Sequence, residues 1–177
     1  MMSDAHTPNV PDLIDGVPSP AANPNLFGHD AALETIKNQL ASGRMHHAWL
    51  LTGARGIGKA TFAFHFAAHL FSSHSPDGEN TLLGKEDINA VRSRIAAGGH
   101  PNLIHLTRPW DPKASTFKTQ ITVEEAGRAI HFLTTSRASD TWRVIIIDAA
   151  DEMNRTVQNA LLKTIEDPPE NTLFLLK

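Results

Sequence analysis

Apolar residues recur at helical spacing soon after the N-terminus. Leu33, Ile36 and Leu40 share one face, which predicts a helix capped by Asp30, running to about Ser42 and stopped by Gly43. His47 to Thr52 then reads as a first buried strand. Helical spacing returns with Ala63, Phe66, Ala67, Leu70 and Phe71, over a segment beginning near Gly58. A polar, Gly/Pro-punctuated loop, Ser72 to Lys85, is followed by a short helix carrying Ile88, Val91 and Ile95 and ending at Gly98-Gly99. Asn102 to Thr107 reads as a second strand. From Arg108 to Gln120 the pattern is lost, and Trp110 to Lys113 reads as a solvent-facing loop or an irregular hairpin.

The second half repeats the alternation. Thr122-Val123-Glu124-Glu125 has the spacing of a capping box, opening a helix with Val123, Ala126, Ile130 and Leu133 on its apolar face. Trp142 to Ile147 is apolar apart from Arg143 and ends in Asp148, as expected of a strand covered on both faces. Arg143 is open to an edge or an interface role. Asn154 caps a helix whose apolar face is Val157, Ala160, Leu161, Thr164 and Ile165; Glu166-Asp167-Pro168-Pro169 ends it, and Thr172 to Leu176 is one more buried strand. Strands alternating with helices predict a three-layer α/β domain with a mostly parallel sheet. Five prolines between Pro8 and Pro24, with few large apolar residues, mark residues 1–24 as a flexible tail before a domain spanning 25–177.

Candidate chemistry centres on Leu50 to Thr61, L-L-T-G-A-R-G-I-G-K-A-T, where a strand feeds a glycine-rich turn and a helix. Gly53, Gly56 and Gly58 allow successive backbone N–H groups to converge on phosphate oxygens, and Lys59 adds a mobile charge. This is the pattern of a P-loop, against the plainer reading of a glycine-rich turn without a ligand. Arg55 either adds charge to the loop or is a solvated side chain. The position that usually supplies a magnesium-binding hydroxyl is Ala60. Thr61 lies about 100° further round the helix, directed away from the cradle. Asp148, ending an apolar strand downstream, reads as a Walker B carboxylate able to hold magnesium, although such an aspartate also caps turns. ATPases of the AAA+ type place a water-orienting glutamate next, and here that residue is Ala149; Asp151 and Glu152 follow only after the strand has ended.

Taken together, these residues resemble the N-terminal AAA+ domain of bacterial clamp-loader subunits of DNA polymerase III, on the delta-prime side of that family. The resemblance is carried by Leu26 to His29, His46 to Leu51, the P-loop, Gly99-His100-Pro101-Asn102 and Asp148-Ala149-Ala150. Most specific is the run from Asn159 to Pro169, N-A-L-L-K-T-I-E-D-P-P, beginning eleven residues after Asp148. Ala149 and Ala60 set the chain apart from the hydrolysing gamma/tau type. The resemblance implies a P-loop NTPase sheet of order 5-1-4-3-2 and ATP or ADP as ligand with magnesium at Asp148; many relatives also carry a small zinc module before Gly99-His100-Pro101, but Ser72 to Gly98 has no cysteine here, so no zinc is expected. It also implies delta and gamma/tau subunits as neighbours, contact with the sliding clamp and primed DNA through the complex, and a cytoplasmic location. Relatives continue past the position of Lys177 into a fifth strand, a lid and a collar. The chain is therefore expected to be a fragment or a truncated reading frame whose P-loop strand is an exposed edge. An active motor subunit and a nucleotide-sensing module outside replication are the alternatives, the second disfavoured by the Asn159 run. Lys163 is open to a DNA-facing, partner-facing or solvated role.

Composition narrows this little further. With 41% hydrophobic and 20% charged residues, 177 residues suit one soluble domain, and a net charge of −3 gives no overall basic footprint for nucleic acid. The absence of cysteine excludes disulfides and thiolate-bound zinc. No apolar run approaches the length of a membrane span, and the start lacks the pattern of a signal peptide. His65 and His69, four apart on one predicted helix, have the spacing of a metal pair but no apparent third ligand.

Overall fold

The structure, a computed structural model, describes residues 10–73, 87–135 and 141–177. In chain order the elements are α1 (Asp30–Ala41), β1 (Ala48–Leu50), α2 (Lys59–Ser73), α3 (Ile88–Ala96), β2 (Leu103–Leu106), β3 (Trp110–Asp111), β4 (Thr116–Phe117), α4 (Val123–Thr134), β5 (Arg143–Ile147), α5 (Arg155–Glu166) and β6 (Thr172–Leu176). The main sheet is parallel throughout, in the order β1-β6-β5-β2. The last strand thus inserts between β1, which leads into the glycine-rich loop, and β5, which ends at Asp148. Most of the loop expected between α2 and α3 lies outside the described residues.

Alternation along the central strands builds three layers. Val144 and Ile146 of β5 and Leu173 and Leu175 of β6 face a core shared with α1, α2 and α3. Ile145, Ile147 and Phe174 face the opposite core, shared with α4 and α5. Burial on both faces is why these strands are continuously apolar rather than alternating. The edge strand β1 differs: Leu50 is 67% exposed, so the strand expected to be buried is only partly so.

Helix α2 is more deeply embedded than its one predicted stripe implies. Phe62, Phe64 and Ala68 are buried together with Ala63, Phe66, Ala67 and Leu70, leaving little polar surface. A helix apolar nearly all round needs cover on several sides. The sheet, α1 and α3 provide it, and so does part of residues 10–24, the stretch expected within a tail. Ala21 packs on the core around α2. His65 Nε2–H donates to the Asn23 carbonyl at 2.8 Å, leaving Nδ1 to accept from Arg92 at 2.6 Å.

Capping follows the predicted residues only in part. The Asn154 side chain accepts from the Val157 amide at 3.0 Å, as its position before α5 predicts. At α4 the capping box does not close: Thr122 makes no side-chain cap, and Glu125 pairs with Arg128 at 2.6 Å instead. An adjacent guanidinium on the same face outcompetes the helix-end amide for this carboxylate. At α1, Asp30 is the first helical residue rather than the cap, and His29 caps without a side-chain bond. The irregular stretch after Arg108 is a two-stranded hairpin, with Trp110 edge-on to Phe117 and the Asp111 carboxylate accepting from the Lys113 amide.

Candidate functional site

Sheet register gathers the chemistry at one edge. Leu50 pairs with Leu176, Leu176 with Ile147, and Ile147 with Leu106, so the four strands end in one row. With strands about 4.8 Å apart, the glycine-rich loop after β1, Lys177 after β6, Asp148 after β5 and Arg108 beyond β2 emerge along about 15 Å of edge. In open α/β sheets this carboxyl edge is where ligands bind.

The loop after β1 has the backbone a phosphate cradle needs. Gly53, Gly56 and Gly58 have φ of +137°, +84° and +99°, conformations that side-chain-bearing residues rarely adopt. A Cβ on Gly58 would also come within 3.2 Å of the His29 ring. His29 Nε2–H donates to the Ile57 carbonyl at 3.0 Å, tying the start of α1 to the crest of the loop. The Lys59 ammonium donates to the carbonyls of Gly53 at 2.7 Å and Ala54 at 2.8 Å. It therefore folds over its own loop, holding charge where an anion would be received. Ala60 and Thr61 are both buried, at 7% and 8% exposure. Arg55 extends outward, its side chain 85% exposed.

At the other end of the row, Asp148 is largely covered, with 12% side-chain exposure, and paired. Its Oδ1 forms an ion pair with Lys177 Nζ, and its Oδ2 lies 3.7 Å from His105 Nε2, too long for a hydrogen bond. Burial pushes the Asp148 carboxyl up, but the favourable field of His105 and Lys177 outweighs it and holds the group below its ordinary value. The backbone fixes the arrangement, because Lys177 N–H donates to Ile147 O and Ala150 N–H to Lys177 O. Ala149 follows in extended conformation, with no carboxylate to offer. Glu152, the nearest alternative, is turned to Arg108, with its Oε2 3.0 Å from Nε. The chain's own donor set does not fit a magnesium ion. It comprises one carboxylate already neutralised by an ammonium, and no oxygen at position 60.

The structure therefore places the glycine-rich loop and Asp148 on one edge and adds residues that the sequence pattern does not single out. His105 interrupts the apolar strand β2, while Arg108 and Lys177 follow the ends of β2 and β6, and a polar residue in or after an apolar run is the only local signal they leave. Asp12 is unmarked by any pattern, yet its Oδ2 lies 3.0 Å from Nη2 of both Arg55 and Arg108. Two other candidates fall away from the edge. Arg143 Nη1 donates to the Leu133 carbonyl at 2.5 Å, closing the C-terminal turn of α4, and Lys163 is solvent-exposed. His65 is engaged as described, and among the described residues no three His, Cys, Asp or Glu side chains group to hold a metal ion. No helix among them is long and apolar enough to cross a membrane.

Comparison with known proteins supplies the wider context. The profile of the family described as "DNA polymerase III, delta subunit" matches residues 28–177. The chain is 33% identical to DNA polymerase III subunit gamma of Buchnera aphidicola from Acyrthosiphon pisum, over 86% of this chain and 38% of that protein. It is 32% identical to subunit tau of Escherichia coli, over 86% and 22%, and 29% identical to subunit delta' of Pseudomonas aeruginosa, over 81% and 40%. The chain thus spans at most two fifths of the length of these relatives. Among solved structures, a gamma-subunit-related protein of Thermotoga maritima aligns with a TM-score of 0.34 at 20% identity, covering 50% of this chain and 29% of that one.

Proposed function

The chain belongs to the DNA polymerase III delta-subunit family, and on that premise we propose that it is a clamp-loader subunit in DNA replication that holds a nucleotide without splitting it. The observation that carries this reading is the contrast within one edge. The glycine cradle and Lys59 are set out for phosphate, whereas Ala60 and Ala149 stand where a metal-binding hydroxyl and a water-orienting carboxylate would be needed. In this role the backbone N–H groups of the loop and the Lys59 ammonium hold ATP or ADP. The subunit acts delta-prime-like, beside delta and gamma/tau, reaching the sliding clamp and primed DNA through the cytoplasmic complex.

A second reading is a gamma/tau-type motor subunit, favoured by the relatives at 32–33% identity, which carry the names gamma and tau. Phosphate release separates the two. The chain incubated alone with ATP and magnesium is expected to release none above buffer, and to alter the rate of a gamma/tau subunit when that subunit and delta are added. Release by the chain alone, abolished in Asp148→Asn, would establish the motor reading instead.

A further inference from the structure

We propose that Arg55 and Arg108 form a second anion site on this edge, that it receives the polyphosphate tail of an incoming nucleotide, and that the chain's own Asp12 occupies it until then. The inference deepens the nucleotide reading above and rests on it. Two guanidinium groups from separate parts of the fold, one in the P-loop and one beyond β2, converge on a single carboxylate oxygen at 3.0 Å each. Like charges brought this close require an anion between them. Guanidinium forks suit phosphate at least as well as carboxylate.

The two arginines are not equivalent. Arg108 is largely covered, with 18% side-chain exposure, and its Nε is held 3.0 Å from Glu152, so this half of the site is fixed before any ligand arrives. Arg55 is the mobile half. Asp12 sits in the left-handed region at φ +60°, which places its carboxylate between the two; aspartate tolerates this conformation better than most residues. Arg55 lies in the loop that would cradle phosphate and Arg108 follows the far strand of the same row, so the Asp12 carboxylate bridges two parts of this edge. The segment carrying Asp12 precedes the family match, which begins at residue 28. The latch residue Asp12 therefore lies outside the matched stretch, whereas both arginines lie within it.

Both pairs involve a half-exposed carboxylate, so the latch is weak and a nucleotide can displace it. A site blocked for most of the time lowers apparent affinity by the fraction of time it is open. Removing the charge with Asp12→Asn is expected to tighten binding of a fluorescent ATP analogue by about threefold to tenfold at low salt. Inorganic tripolyphosphate, as competitor, should gain by the same factor, because only the phosphate chain is recognised. The gain should shrink as salt is raised and in an Arg108→Gln background. In the wild type, hydrogen exchange at the Val17 amide, bonded to the Ile14 carbonyl, should quicken when the analogue binds, reporting release of the segment.

Equal affinities for wild type and Asp12→Asn, with binding still lost in Lys59→Ala, would overturn the latch while leaving the nucleotide reading intact. Unchanged exchange at Val17 on saturation with the analogue would overturn it too. Failure of every variant to bind would overturn the nucleotide reading, and the latch with it. Melting curves confirm that each variant is folded.

Discussion

Replacing Lys177 with methionine tests the electrostatics of the edge, since it removes the ammonium but keeps most of the apolar stem. Asp148, 12% exposed in the intact protein, then keeps among the described residues the more distant His105 Nε2, at 3.7 Å, as its ion-pair partner. Removing one partner of a fully buried pair costs about 3–5 kcal/mol, whereas exposed pairs are worth about 0.2–1 kcal/mol. With Lys177 30% exposed the site lies between these limits, and a loss of about 2 kcal/mol is expected. In a domain of this size that lowers Tm by about 4–8 °C. Urea titration should show a lower midpoint with an unchanged slope. Asp148→Asn should cost less, and the double variant less than the sum of the two, because an unpaired buried charge no longer remains. The sign with pH follows from the depressed Asp148 carboxyl. Its stabilisation is fully present above about 3.8, its unfolded value, and is lost as pH falls through the lower folded value, so the gap between wild type and Lys177→Met should narrow there. Strict additivity of the two substitutions, or a Lys177→Met cost below about 0.3 kcal/mol, would refute the pairing as an energetic link.

Other consequences can be checked separately. Ala60→Ser restores the missing oxygen at a buried position; it should make affinity for the ATP analogue depend on magnesium, with little phosphate release while position 149 is alanine, and titration with and without the ion reads this out. Leu161→Ala empties a fully buried site between α5 and the sheet, and should cost about 2–5 kcal/mol in urea unfolding. The His65 imidazole is held below its ordinary value by burial, opposed by the Asn23 carbonyl and aided by Arg92, so the unfolded chain binds the proton first. Stability should fall as pH drops below about 6.5, and a His65→Gln variant should lose that slope.

The layers of the fold were legible from sequence because period and length carry them. The uninterrupted apolar runs of β5 and β6 announce strands covered on both faces, and Asn154 announces the start of α5 through a bond made within three residues. Legibility fails where a side chain has two partners to choose from. Glu125 has the spacing of a capping box but meets Arg128 first, and α2 shows a wider apolar surface than one stripe because its cover comes from distant segments. The site divides in the same way. Gly53 to Lys59 is one continuous motif and can be read directly, whereas Lys177 meets Asp148 only through the insertion of β6 beside β5. The link from Asp12 to Arg108 spans 96 positions with no periodicity to announce it. Arg143 had two open roles as a polar interruption of a strand, and the structure gives it a third, bonding the last turn of α4.

On the proposed function, the edge holds a nucleotide through Lys59 and lacks the groups to split it. Equilibrium binding of a fluorescent ATP analogue to wild type and Lys59→Ala, with phosphate release from ATP followed under the same conditions, tests it most directly. Loss of the charge-assisted contacts from Lys59 should weaken binding by about tenfold to a hundredfold, and neither protein should release phosphate. Binding indifferent to Lys59 would show that the glycine-rich loop does not hold the nucleotide, and release that requires Lys59 and Asp148 together would show that the edge does split it.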